Sequence, residues 1–232
     1  MRHRKPSCLI VISWAAAIWF LLGFTAVIAA EKAGIVTHLS GPLFAKKVDG
    51  TVKTLGVNSI VEVGDVLITE KKTFARIKFP DNSEVTLRPQ SQFKIDQFFF
   101  DQAKPKEDKA VFSAIKGGLR AVTGQIGKRF QKDSYRMNTP MAVCGIRGTI
   151  FEIRIYEGDS GGLSKGLYLF VPEGSITVSN SAGIQNVNAG QFAHVRDTQT
   201  KPIILPSNPG LNFTLPESIQ SKPKTQTGCI VR

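Results

Sequence analysis

Thr139-Pro140-Met141-Ala142-Val143-Cys144-Gly145-Ile146-Arg147-Gly148-Thr149-Ile150-Phe151 decides the fold of this chain. A Thr-Pro turn opens the stretch, an apolar run follows, and Arg-Gly-Thr interrupts what otherwise reads as buried strand. Glycine at 145 and 148 marks a bulge or a close backbone approach. Arg147 stands among apolar neighbours, and a buried guanidinium without a partner is costly. The expectation is a fold-defining corner in which Arg147 points inward and pairs with a carboxylate, Asp65 or Asp81. No catalytic motif has this form.

Outward from that corner the chain reads as short strands punctuated by Gly, Asp and Asn. The first half gives Ile35 to Leu39, Leu43 to Val48, Ile60 to Val63, Val66 to Thr69, Phe74 to Phe79, Glu84 to Leu87 and Phe93 to Asp96. Asp49-Gly50 is a hairpin signal. Gln102 to Lys109 is polar and charged, and reads as an exposed loop. The second half gives Ala110 to Ile115, Gly118 to Val122, Phe151 to Tyr156, Leu167 to Val171, Ile176 to Val178, Ile184 to Val187 and Gln191 to Val195. Beyond the N-terminal apolar run no segment has a helical period. Gly41-Pro42-Leu43-Phe44 with Asp49-Gly50 faintly echoes Gly174-Ser175-Ile176-Thr177 with Ala182-Gly183, as stacked repeats would. The expected class is all-β: stacked short strands in a β-solenoid-like or twisted sandwich domain.

The N-terminus implies export. Arg2, Arg4 and Lys5 precede an uncharged run from Leu9 that ends in small residues at Ala29 and Ala30. That is the pattern of a secretory signal over residues 1–30, with a signal anchor as the alternative because the run nears a bilayer-spanning length. Residues 31–196 then form the domain, and 197–232 a tail. The tail carries Pro202, Pro206, Pro209, Pro216 and Pro223, reads as an extended strap, and is expected to be dispensable for folding.

The whole chain has 30 Lys and Arg against 18 Asp and Glu; three of the basic residues lie in the first five positions, which leaves +9 on the exported part. Such a charge suits an acidic partner surface. Lys46-Lys47 and Lys71-Lys72 are the basic loops. The lysines are not interleaved with aromatics, so no nucleic-acid platform is expected. Cys144 and Cys229 remain after signal removal. The exported compartment permits a bridge between them, while the apolar setting of Cys144 equally suits a buried thiol.

Several motifs in order resemble the FecR domain, the periplasmic domain of the iron-dicitrate regulator family. They are Gly64-Asp65-Val66-Leu67-Ile68-Thr69, Phe79-Pro80-Asp81-Asn82-Ser83, Leu87-Arg88-Pro89-Gln90-Ser91 with Phe93 and Ile95, and Gly118-Leu119-Arg120. Thr139-Pro140 through Arg147-Gly148-Thr149-Ile150-Phe151 follows, then Glu173-Gly174 and Gly190-Gln191. The resemblance covers about Gly34 to Arg196. Asn82 stands where the family often has glycine, and Asn also tolerates φ > 0. Of these, Gly64, Asp65, Asp81, Ser83, Thr139, Pro140, Arg147, Gly148, Thr149 and Phe151 are expected to be structural.

The resemblance implies a stand-alone exported form. Family regulators carry a cytoplasmic anti-sigma segment before a membrane helix; here about seven residues precede the apolar run. The expected function is a non-enzymatic periplasmic protein-binding, sensing or scaffolding module of the cell envelope. Its partner is an unidentified envelope protein, with no sigma factor bound directly. Membrane contact runs only through the signal segment if uncleaved.

The alternative is a serine hydrolase. Gly158-Asp159-Ser160-Gly161-Gly162 resembles the nucleophile region of chymotrypsin-like proteases, with His38 and Asp81 in the required order. His38 lacks the usual neighbours, and the pentapeptide lies between two alternating strands, as a hairpin tip does. No metal-ligand spacing and no cofactor motif is present. The signal reading carries its own test. Intact mass of the exported protein should place its first residue at Ala30 or Glu31, whereas a membrane-bound form retaining Met1 would identify an anchor.

Overall fold

The computed structural model describes residues 31–129, 134–159, 162–211, 215–216 and 219. The expected signal at 1–30, Ser160 and Cys229 lie outside them. The first half holds β1 Lys32–Leu39, β2 Leu43–Lys46, β3 Val52–Leu55, β4 Ile60–Glu62, β5 Val66–Thr69, β6 Ala75–Lys78, β7 Glu84–Leu87 and β8 Gln92–Phe99. The second holds β9 Lys109–Val122, the single helical turn α1 Gln125–Lys128, β10 Tyr135–Asn138, β11 Val143–Tyr156, β12 Gly166–Asn180, β13 Gly183–Asn188, β14 Phe192–Val195 and β15 Ile203–Leu205. The expected all-β class is what the chain adopts: one mostly antiparallel sheet of these strands, not closed into a barrel. The β9–β10 pair is parallel.

Alternation along each strand builds the core. Val36, Ile77, Val85, Ala121 and Phe151 stand directly opposite one another across β1, β6, β7, β9 and β11, and all are fully buried. One residue along, side chains point to the other face. There the row is Arg76, Thr86, Arg120 and Glu152. The apolar row belongs to a single buried cluster that draws on nearly every strand and includes the packed rings of Phe79, Phe93, Phe98, Phe112 and Tyr135.

The longest strands bend. β11 turns at Gly148 (φ 57°) and β12 at Gly174 (φ 84°), and the register between them slips from Arg147 to Glu152. The two glycines face each other: a Cβ on Gly174 would lie 2.4 Å from the Gly148 carbonyl oxygen. Only glycine permits that approach at a positive φ. The bend folds the sheet over, so that residues flanking opposite ends of β12 meet. Asn180 Nδ2 donates to the carbonyls of Asp197 (3.0 Å) and Thr200 (2.7 Å).

The strand readings hold in position and differ in length. Ala110 to Ile115 and Gly118 to Val122 are one strand, β9, which runs through Gly117 at φ 79°. β3 lacks a sequence signal because Val52, Lys53 and Thr54 are exposed and only Leu55 is buried. The Asp49-Gly50 turn joins it to β2, with Asp49 Oδ1 accepting from the Thr51 amide at 2.9 Å. α1 is too short to leave a period.

The segment after Arg196 packs locally on the domain over its described residues. β15 adds to β14, Leu211 is buried, and Ile219 is 1% exposed with its carbonyl accepting a hydrogen bond from Arg76. Isolated apolar residues among prolines hide this docking from a periodicity reading. A chain ending at Thr200 loses β15 and two buried aliphatic side chains, each worth about 1.5–3 kcal/mol. Its melting temperature should fall by roughly 6–24 °C against the full mature chain; an equal melting temperature would show that the segment is dispensable after all.

Candidate functional site

Buried charge is concentrated in the outer row of the sheet. Glu152 is 1% exposed. Its Oε1 accepts from Arg120 Nη1 at 2.7 Å, and its Oε2 lies 3.4 Å from Arg88 Nη2. Arg120 is held opposite Glu152 by the β9–β11 register, and Arg88 follows the last residue of β7, where its amide donates to the Gly118 carbonyl. One carboxylate therefore ties three neighbouring strands. Burial lowers the Arg88 guanidinium even with Glu152 beside it. Burial, then the charge of Arg88, brings Arg154 down to about 10. At neutral pH the guanidinium groups stay charged.

The expected motif residues take up other fixed positions. Gly64 has φ 91° in the turn after β4. Asp65 is 1% exposed, and its Oδ2 accepts from the Glu62 amide (2.9 Å) and Lys47 Nζ (2.8 Å). Lys47 also reaches Glu62 at 2.7 Å. Burial works against the Lys47 ammonium, yet the hydrogen bonds to Asp65 and Glu62 hold it above the usual lysine value. Asp81 is fully buried: Oδ1 accepts from the Ser83 amide (3.0 Å) and hydroxyl (2.6 Å), and Oδ2 accepts from the Ile126 amide of α1 (3.3 Å). Asn82 adopts φ 66°, as its place in that turn requires. Thr139 Oγ1 donates to the Ala142 carbonyl (2.7 Å) and accepts from the Ala142 amide (3.0 Å) around an exposed Pro140. Phe151 is fully buried.

Arg147 is where the sequence reading fails. It is exposed on β11, while its neighbour Ile146 is buried. The corner is fastened next door, by Thr149. Its hydroxyl lies 2.9 Å from both the Arg147 and the Ser175 carbonyls, and its amide donates to Thr123 Oγ1 at 2.8 Å. Apolar neighbours in sequence do not fix which face a strand residue occupies; the parity of the strand does. The arginines that reach Glu152, buried Arg88 and half-buried Arg120, were visible in the Leu87-Arg88-Pro89 and Gly118-Leu119-Arg120 motifs. Glu152 was the missed residue. Its signal was a carboxylate within the strongly alternating Phe151–Tyr156 segment.

The remaining chemistry-bearing groups are dispersed. Asp81 is committed to its turn, and His38 is exposed on β1. His194 stacks on Tyr168 with ring centroids 4.4 Å apart, and burial lowers its pKa. Among the described residues no hydrogen bond joins His38 to Asp81 as the alternative triad would require, and Ser160 lies outside them. Among the described residues no group of three or more His, Cys, Asp or Glu is placed to hold a metal ion. Cys144 is a fully buried free thiol, and burial pushes it up to about 12. Of the basic loops, Lys46, Lys71 and Lys72 are exposed, whereas Lys47 is consumed internally.

The strand corner and the Arg-Glu-Arg bridge lie inside a stretch that matches a known family. The model for the FecR protein family matches residues 65–177. The chain carries a FecR domain. No curated protein matches it. Two crystal structures of a "putative anti-sigma factor" from Parabacteroides distasonis ATCC 8503, at 1.65 and 2.50 Å resolution, are similar at 12% identity and a TM-score of 0.48. Each alignment covers 62% of this chain and 60% of the other. The chain thus spans under two thirds of those proteins, and so distant a likeness adds nothing to the family assignment. Within the FecR match fall Asp65, Asp81, Arg88, Arg120, Thr149 and Glu152; β1 to β4 and β13 to β15 flank it.

Removing one member of a buried ion pair leaves the other uncompensated. Glu152→Gln should therefore lower unfolding free energy in urea by about 3–5 kcal/mol. Arg147→Ala, at an exposed site, should change it by less than about 0.5 kcal/mol. The reverse order would return the buried arginine to position 147. Iodoacetamide at pH 8 should leave the Cys144 peptide unmodified in the native protein and label it fully in denaturant. Native labelling of that peptide would contradict its burial.

Proposed function

We propose that this is an exported, non-enzymatic FecR-domain protein that binds another protein of the cell envelope as a sensing or scaffolding module. The observation that carries the reading is the FecR match itself, which spans the corner and the buried ion bridge. The motif residues support it through what they do: Asp65, Asp81, Ser83, Thr139 and Thr149 spend their polar atoms on backbone and neighbouring side chains. Groups so engaged hold a fold and are not free to perform acid-base or nucleophilic work. On this reading Gly64, Asp65, Asp81, Ser83, Thr139, Pro140, Gly148, Thr149 and Phe151 are scaffold, and recognition falls to the surface around it.

Export rests on the basic, then apolar, then small-residue pattern of residues 1–30. Among the described residues no helix is long and apolar enough to cross a membrane. The charge of the exported part favours an acidic partner, steered by exposed Lys46, Lys71 and Lys72.

Cross-linking in the native envelope fraction, followed by mass spectrometry, identifies the partner. Capture should weaken several-fold between about 50 and 300 mM salt, as the screening length contracts. The triple variant Lys46→Glu, Lys71→Glu, Lys72→Glu should slow association while the fold stays intact. A partner captured equally by the triple variant at both salt concentrations would remove the electrostatic part of the proposal. Turnover of an envelope substrate by the purified protein would remove the binding-module reading.

A further inference from the structure

A sheet that does not close has edges, and an edge strand that is not blunted invites another strand. Among the described residues β3, β4, β13 and β15 each pair on one side only. β3 carries Lys53, β4 is three residues long and ends in Glu62, and β15 is three residues long between Pro202 and Pro206. Charge, short length and proline all act against strand addition. β13, Gly183-Ile184-Gln185-Asn186-Val187-Asn188, has none of them. It runs six residues without a charge or a proline, and pairs with β12 in unbroken register.

Its parity shows which backbone groups face the edge. The two-residue turn Ser181-Ala182 joins β12 to β13, so Asn180 and Gly183 are the closing pair of the hairpin. Alternate residues from Gly183 then face β12, and Ile184, Asn186 and Asn188 turn their N–H and C=O groups outward. Two side-chain contacts fit that parity. The Asn188 amide donates to Gln191 Oε1 at 2.8 Å, and Gln185 Nε2 donates to the Asn186 carbonyl at 2.9 Å. Side chains stand there where a neighbouring strand would bond. The Gln191 amide also donates to the Asn188 carbonyl, which leaves Ile184 and Asn186 as the outward run. Both are exposed, Ile184 by 62%.

Charge decides the occupant. The chain has 30 Lys and Arg against 18 Asp and Glu, yet β13 offers an acidic strand no cation of its own. Lys201 lies against Gly183 through its Cγ, Cδ and Cε, which is its aliphatic stem. Antiparallel pairing of two identical strands sets a charged residue near its own like charge, which is unfavourable. A neutral strand has no such cost. Pairing about a two-fold axis at Gln185 places Ile184 opposite Asn186 of the second copy, and Asn186 opposite its Ile184. Each facing pair then exchanges both N–H···O bonds, about four in all. The two Gln185 side chains meet at the axis, and Ile184 is covered.

We propose that β13 pairs antiparallel with β13 of a second copy of this chain, joining two sheets edge to edge in a closed two-fold dimer. This goes beyond the protein-binding reading and does not rest on it: self-pairing uses a neutral strand, partner capture the exposed lysines. Salt separates the two. Two basic copies repel each other, so added salt should strengthen self-association, whereas it weakens capture of an acidic partner. One strand pair is small beside the roughly 1,600 Å² of a standard interface, so the dimer should form reversibly with concentration.

Sedimentation velocity of the full mature chain, from about 5 to 500 μM protein and at about 50 and 300 mM salt, should show a monomer–dimer equilibrium that is stronger at the higher salt. Gln185→Lys and Gln185→Glu each set like charges at the two-fold axis, and each should weaken the dimer at least about fivefold with melting temperature unchanged. An equimolar mixture of the two should restore it, because opposite charges then meet at the axis. Ile184→Lys, at an exposed position, should also weaken it at least about fivefold, and it decides the outcome if a Gln185 variant melts lower. A monomer at every concentration, a dimer that weakens with salt, a dimer unaffected by Ile184→Lys, or a mixture of natively melting Gln185 variants no stronger than its components overturns the proposal. Envelope-protein capture is measured on the same variants and should persist in all of them, so loss of the dimer and loss of the protein partner are read separately.

Discussion

Glu152 is the constraint on which the arrangement of the sheet depends. A carboxylate at 1% exposure is tolerable only if cations reach it. Arg120 and Arg88 do so from β9 and from the end of β7, and so the three strands cannot slide independently. A slip of one residue would carry Glu152 into the apolar row of Phe151, Ala121 and Val85 and would turn those residues outward. Two arginines against one acid leave positive charge behind, and Arg154 adds to it; burial first, and then the charge of Arg88, depress its guanidinium. Such a bridge need not exceed a hydrophobic replacement in stability. What it fixes is register.

The bend at Gly148 and Gly174 completes what the bridge begins. A flat sheet of this many short strands would leave one face unpaired with any core. Folding β11 and β12 at their glycines lets the same strands contribute to both halves, and Thr149 fastens the fold line through two carbonyls and the Thr123 hydroxyl. The bridge at Glu152 starts three residues after Thr149. Corner and register are therefore specified by adjacent residues of one strand.

That proximity explains what could be read from the sequence. The strands were legible because alternation and turn residues are local: Asp49-Gly50, Pro80-Asp81-Asn82-Ser83 and Phe151–Tyr156 each announce themselves within a few residues. The corner was legible for the same reason, through Gly148. Its arginine was assigned to the wrong face because strand parity changes at the bend, and a bend is a tertiary feature. Lys47 read as a free basic loop because its partners, Glu62 and Asp65, lie 15 and 18 residues away. β3 and the docked Ile219 escaped notice because each depends on pairing with a distant segment.

The division between scaffold and surface follows from where polar atoms are spent. Asp65, Asp81, Thr139, Thr149 and Glu152 spend polar atoms on the backbone or on neighbouring side chains inside the fold. The surface over Ile35 and Ile60 is the opposite case: there apolar area is left uncovered on paired strands. The same aspartate that anchors Lys47 also takes the Glu62 amide at the end of β4.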